Sequence, residues 1–112
     1  AMAAEQVWSW LAEPEHRALL TLWVEGYGRS LMDGEGPWAG FAASTVNDWL
    51  TYLAETQPPE VRDTETGLHE RTLVLAVLRG AFLDLLATGD VDRTTGAVGA
   101  HLAALGRSPV RK

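Results

Sequence analysis

Apolar residues recur along this chain at steps of three and four, the spacing that gathers them on one face of a helix. Nowhere do they keep up the period-two alternation of a half-buried strand. The pattern predicts an all-α fold of about five helices. Val7, Trp8, Trp10 and Leu11 define the first, over residues 4–12. Pro14 is tolerated in a first helical turn, and Glu13 and Glu15 favour the positive end of the helix dipole, so a second helix opens there and runs to about Met32. Its stripe is Leu19, Leu20, Trp23, Tyr27 and Leu31, with Val24 one step off. Gly26 and Gly28 inside it cost about 1 kcal/mol each relative to Ala, and mark close backbone approach or room left for another group. Beyond the Asp33–Gly36 loop, Pro37 opens a third helix to about Thr56. Its apolar positions are Trp38, Phe41, Ala42, Val46, Trp49, Leu50 and Leu53, and Pro58-Pro59 stops it. Residues 57–66 are polar and acidic, a mobile lid or a linker.

The fourth helix, residues 67–87, departs from the single stripe. From Leu73 to Ala87 it is apolar or small on every side, interrupted only by Arg79 and Asp84. A helix apolar all round has to be covered on both faces. A chain of 112 residues covers one face with its own core, and a second copy of the chain is the simplest cover for the other. The run is too short and too charged to span a membrane, which needs about 20 mostly apolar residues. Gly89 suits the position just past a helix end, and Asp90 the cap of a fifth helix over 90–105. There Val91, Thr95, Val98, Leu102 and Leu105 make a heptad-like seam, while Gly96, Gly99, Ala100 and Ala103 are small enough to admit another helix. The last two helices are thus expected to be an antiparallel pair that builds a four-helix-bundle homodimer interface, with Leu78, Phe82, Val91, Val98, Leu102 and Leu105 in the contact.

Composition narrows the function classes. The net charge of −6 and a single Lys, at the last position, argue against direct DNA binding, which rests on Lys and Arg against phosphates. Arg107, Arg111 and Lys112 cluster only in a Pro-containing tail. Cysteine is absent, which removes disulfides, thiolate metal sites and thiol nucleophiles and fits a reducing cytoplasm. Glu13-Pro-Glu-His16 is the only Glu-x-x-His and lies across a proline, with no second copy for a di-metal bundle. His69-Glu70 lacks the second His of a zinc helix, and neither a phosphate loop nor a nucleophile elbow occurs. No enzymatic activity, metal or cofactor is expected. Residues 1–3 read as a cloning remnant without the character of a signal peptide, 4–105 as one ligand-binding and dimerisation domain, and 106–112 as a flexible tail.

The five tryptophans, Trp8, Trp10, Trp23, Trp38 and Trp49, all fall on the first three helices, and the chain has no Ile. Aromatics beside glycines on neighbouring helices fill a core or line an apolar pocket with a few polar anchors. Trp23, Tyr27, Phe41, Trp49, Tyr52 and His69 are the pocket candidates. Arg79 and Asp84, five residues apart, do not face one another on their helix, so each requires a partner elsewhere: a helix end, a facing subunit or a ligand. A structural ion pair is the leading reading for Arg79 and a ligand carboxylate the other. His101 reads as an interface or surface residue, and Glu25 as either solvated or a pocket anchor.

Three stretches carry a family resemblance. Leu19-Leu20-x-Leu22-Trp23-x-Glu25, Val46-Asn47-Asp48-Trp49-Leu50 and Leu75-Ala76-x-Leu78-Arg79-Gly80-x-x-x-Asp84-Leu85-x-Ala87-Thr88-Gly89-Asp90 together resemble the C-terminal domain of tetracycline-repressor-type (TetR/AcrR) transcriptional regulators. The resemblance implies a cytoplasmic, all-helical domain that binds a small, apolar or aromatic effector inside and dimerises through its last two helices. It also implies that DNA is met only through an N-terminal helix-turn-helix, which this chain lacks, and it favours a repressor over an activator while leaving both open. The second and third helices and residues 57–66 are then the expected movers. The other reading is a standalone helical interaction module with no ligand cavity.

Overall fold

The computed structural model describes residues 2–107, with Met2, Gly106 and Arg107 described by their backbone alone. Ala1 of the expected cloning remnant and residues 108–112 of the expected tail lie outside the described residues. Among the described residues there are six α-helices and no strand: α1 (Met2–Ala12), α2 (Arg17–Met32), α3 (Phe41–Glu55), α4 (Pro59–Arg62), α5 (Glu65–Thr88) and α6 (Val91–Arg107). A short 3-10 turn, Pro14–His16, leads into α2.

Helix α5 is the hub. Thr64 caps its start by accepting the Gly67 amide at 2.9 Å. Gly89 ends it in the left-handed conformation, φ 72°, which only glycine enters without strain. The Asp90 carboxylate accepts the Arg93 amide at 3.1 Å and starts α6. α6 folds back antiparallel along α5: Arg93 meets Asp84 at one end, and His101 and Leu105 line one groove with Thr66, His69 and Leu73 at the other. The inner side of α5, Val74, Leu75, Leu78, Phe82 and Leu85, forms one core with Leu20, Leu53 and the Ala4 and Trp8 side chains of α1. Trp8 is 4% exposed and its indole N–H donates to Thr95 Oγ1 at 2.9 Å, which satisfies the polar edge that makes a buried Trp costly.

Two expectations change. The 57–66 segment is a tied elbow that contains α4, not a free lid. Arg62 Nε donates to the Ala54 carbonyl at 2.8 Å and its Nη2 to the Gln57 carbonyl at 3.0 Å, so one guanidinium satisfies backbone acceptors at and just past the end of α3. Arg71 Nη1 donates to Gln57 Oε1 and to the Arg62 carbonyl, both at 2.9 Å, and Gln57 Nε2 to the Gly67 carbonyl at 2.9 Å. Helix α3 also starts at Phe41 rather than Pro37. Residues 37–40 turn because Trp38 lies on buried Gly26 of α2, where any Cβ would overlap the indole ring. The Ala42 amide then donates to Ser30 Oγ at 3.0 Å, which fixes the start of α3 to the end of α2. Gly28 faces open space.

Candidate functional site

Where α1, α2, α3 and the inner side of α5 converge, they leave a cavity of about 260 Å³. Val7 and Leu11 come from α1, Leu20 and Trp23 from α2, Trp49 from α3, and Leu75, Leu78 and Phe82 from α5. Trp10 and Leu19, 45% and 59% exposed, form the rim. The rim is held: the Trp10 ring stacks on His16 with centroids 3.9 Å apart, and His16 Nδ1 lies 2.7 Å from the Trp10 carbonyl oxygen. The Trp23 ring is fixed between Tyr27, at 5.4 Å, and the edge of Phe82, at 6.2 Å. The wall is apolar except for Arg79, whose Nη1 donates to Tyr27 Oη at 3.2 Å. Among the described residues no carboxylate lies within ion-pair distance of Arg79, so the structural ion pair expected for it is not formed there. A shallow outer groove of about 470 Å³ adjoins the cavity across Trp10 and Trp49 and carries Gln6, Asp48 and Tyr52.

Six residues were candidates for the pocket, and the fold distributes them. Trp23 and Trp49 line the cavity. Tyr27 stands behind Trp23 and holds Arg79. Tyr52 belongs to the outer groove, its ring 6.2 Å from that of Trp49. Phe41 lies elsewhere, edge-on to Trp38 at 5.1 Å, because the Trp38–Gly26 contact pulls the start of α3 toward α2. His69 lies on the outer side of α5 in a separate groove with His101, whose Nε2 is buried without a hydrogen-bond partner among the described residues. Glu25 forms a solvated pair with Arg29 at 3.0 Å rather than anchoring a pocket. Sequence reasoning missed the α1 contribution, Val7, Trp10 and Leu11, although these residues form their own stripe at steps of three and one.

The interface residues are also redistributed. Leu78, Phe82, Val98 and Leu102 are only 2–3% exposed and sit in the chain's own core, and Leu105 packs against it. The seam on α6 faces α1 and α5 because α1 covers it, through Ala4, Trp8 and the Trp8–Thr95 hydrogen bond. Of the six, Val91 is the one left exposed, at 45%. What remains bare is the opposite side of α5: Leu73, Ala76, Gly80, Leu83 and Ala87 are exposed and follow one another at steps of three and four. Ala97, Ala100 and Ala104 of α6 are exposed as well, and Ala104 lines the same groove as Leu73. Thus, among the described residues, α5 is covered on one side and bare on the other.

At the far end of this pair Asp84 meets Arg93 through two bonds, 2.7 and 2.9 Å, and Arg93 reaches Asp90 at 3.2 Å. The hydrogen bond from Arg93 holds the Asp84 carboxyl below the usual carboxylate range. Among the described residues no group of three or more His, Asp or Glu side chains could hold a metal ion, and no helix is long and apolar enough to cross a membrane. Compared with protein-family models, curated proteins and solved structures, the chain finds no match in any of the three.

Proposed function

We propose that this chain is the effector-binding and dimerisation domain of a TetR-like cytoplasmic transcriptional repressor, with DNA contacted by a helix-turn-helix outside this sequence. One observation carries the reading: α5 is at once a wall of the cavity, through Leu75, Leu78, Arg79 and Phe82, and the bearer of a bare apolar face on its other side. A small apolar or aromatic effector enters past Trp10 and Leu19 and packs against Trp23 and Trp49. A second copy covers Leu73, Ala76, Gly80 and Leu83. The net charge of −6 is compatible with a domain that leaves DNA contact to another part of the protein. Helix α5 then links occupancy to assembly, because a ligand that spreads α1–α3 from α5 also shifts the helix that sets the spacing of the two copies. For such a device to switch, the effector has to bind the DNA-released arrangement more tightly than the DNA-bound one.

The test is uptake of a neutral apolar fluorophore, N-phenyl-1-naphthylamine, by the purified domain. The expected result is saturable uptake near one per chain, with quenching of the tryptophan emission from Trp10, Trp23 and Trp49. A domain that takes up none of the dye favours the standalone interaction module, whose surface would then be the outer groove of Trp10, Trp49 and Tyr52.

A further inference from the structure

The proposed effector site has one charged residue in an apolar wall, and its chemistry narrows the ligand. Arg79 is half-buried and hydrogen-bonded to a neutral phenol, and among the described residues it has no counter-ion. A guanidinium presents five N–H donors in a planar fork matched to a carboxylate, and the bond to Tyr27 occupies only Nη1. In a wall otherwise built from Val7, Leu11, Trp23, Trp49 and Phe82, this half-buried cation without a counter-ion is the one group that favours an anion. We propose, resting on the effector-site reading above, that the ligand is a small monocarboxylate with an apolar ring or short acyl body, its carboxylate paired with Arg79 and its body among Trp23, Trp49 and Phe82.

Two features set the class. First, one cation neutralises one negative charge. A phosphate dianion would carry an uncompensated charge into an apolar wall, whereas a carboxylate is neutralised by the single fork. Second, about 260 Å³ lies just under the roughly 300–1,000 Å³ of pockets for drug-sized ligands, which suits one or two rings rather than a large amphiphile. Tyr27 serves as a positioning residue: its Oη holds the guanidinium against the wall behind Trp23.

The test is displacement of N-phenyl-1-naphthylamine by 3-phenylpropionate and by its neutral counterpart 3-phenylpropan-1-ol. In the wild-type domain the acid is expected to displace the dye at a concentration about tenfold or more below that of the alcohol, the scale of one charge-assisted pair. Arg79→Met should retain the dye and the alcohol while the preference for the acid disappears, and Tyr27→Phe should reduce that preference in part. If the dye binds and the two compounds compete equally in the wild type, the anionic-head proposal is overturned while the cavity reading stands. If the dye does not bind at all, both fall. The wild-type comparison needs no variant, so a folding defect in either substitution leaves the proposal testable.

Discussion

The bare side of α5 gives the sharpest prediction. Leu73 and Leu83 stand 53% and 49% exposed in the single chain. Fully burying a Leu side chain is worth about 1.5–3 kcal/mol, so covering the exposed half of each contributes about 1 kcal/mol. A two-fold interface uses every residue twice, and the two leucines in both copies contribute about 4 kcal/mol, roughly a thousandfold in dimer affinity. The surface is adequate: the 24 residues of α5 span about 36 Å and the 17 of α6 about 26 Å. At about 9 Å of width each they present a strip of about 550 Å² per copy, so that two copies bury slightly more than the roughly 1,000 Å² a specific interface needs. In the double variant Leu73→Glu, Leu83→Glu the interface loses this burial and gains carboxylates that repel or must be buried unpaired. Exposed substitutions of this kind alter the stability of the single chain by only about 0.5 kcal/mol, and Glu matches Leu in helix propensity. Sedimentation equilibrium should therefore show wild-type dimers and variant monomers with the same helical circular dichroism. A variant that still dimerises with wild-type affinity would refute the assignment of this face.

Three further outcomes check the fold beneath that face. Leu102→Glu places an unpaired carboxylate at a position only 3% exposed, so it should destabilise the chain by about 3 kcal/mol or more in urea unfolding; a fully stable protein would contradict the inward direction of the α6 seam. Gly26→Ala drives a methyl group into the Trp38 ring and should cost about 1–3 kcal/mol, and an unchanged urea midpoint would contradict the Trp38 packing. Asp84 has a folded pKa below its unfolded value, chiefly through the Arg93 hydrogen bond, so its stabilisation is present above the ordinary carboxylate pKa of about 3.9 and is lost as pH falls through the lower folded value. The stability gap between wild type and Asp84→Asn should be widest above about pH 5 and close in acid, and a gap independent of pH would argue against this pair.

What the sequence made legible was local. Periodicity gave the all-helical class, because the positions that share a face follow from 3.6 residues per turn, but the structure has six helices among the described residues rather than about five. Gly89 and Asp90 marked the α5–α6 link because the αL end and the cap each demand a particular residue type. The elbow at α4 was illegible because it is held by Arg62, Arg71 and Gln57 reaching backbone carbonyls of other turns, contacts that leave no period. For the same reason the Val98–Leu102 seam was visible but its partner was not: a stripe says which residues share a face, not whether α1 or a second chain covers it. At the cavity, Trp23 and Trp49 were recognisable as aromatics on neighbouring helices. Phe41 and His69 misled because the turn at Trp38 and the rotation of α5 determine which side each presents.

The claim that α5 joins a ligand cavity to an interface between copies is tested most directly by native mass spectrometry of the freshly purified domain, followed by the same sample denatured. The predicted result is a species at twice the chain mass that binds added 3-phenylpropionate at up to one per chain and loses it on denaturation. A single-chain mass that takes up none of the acid at micromolar protein would contradict both halves of the claim.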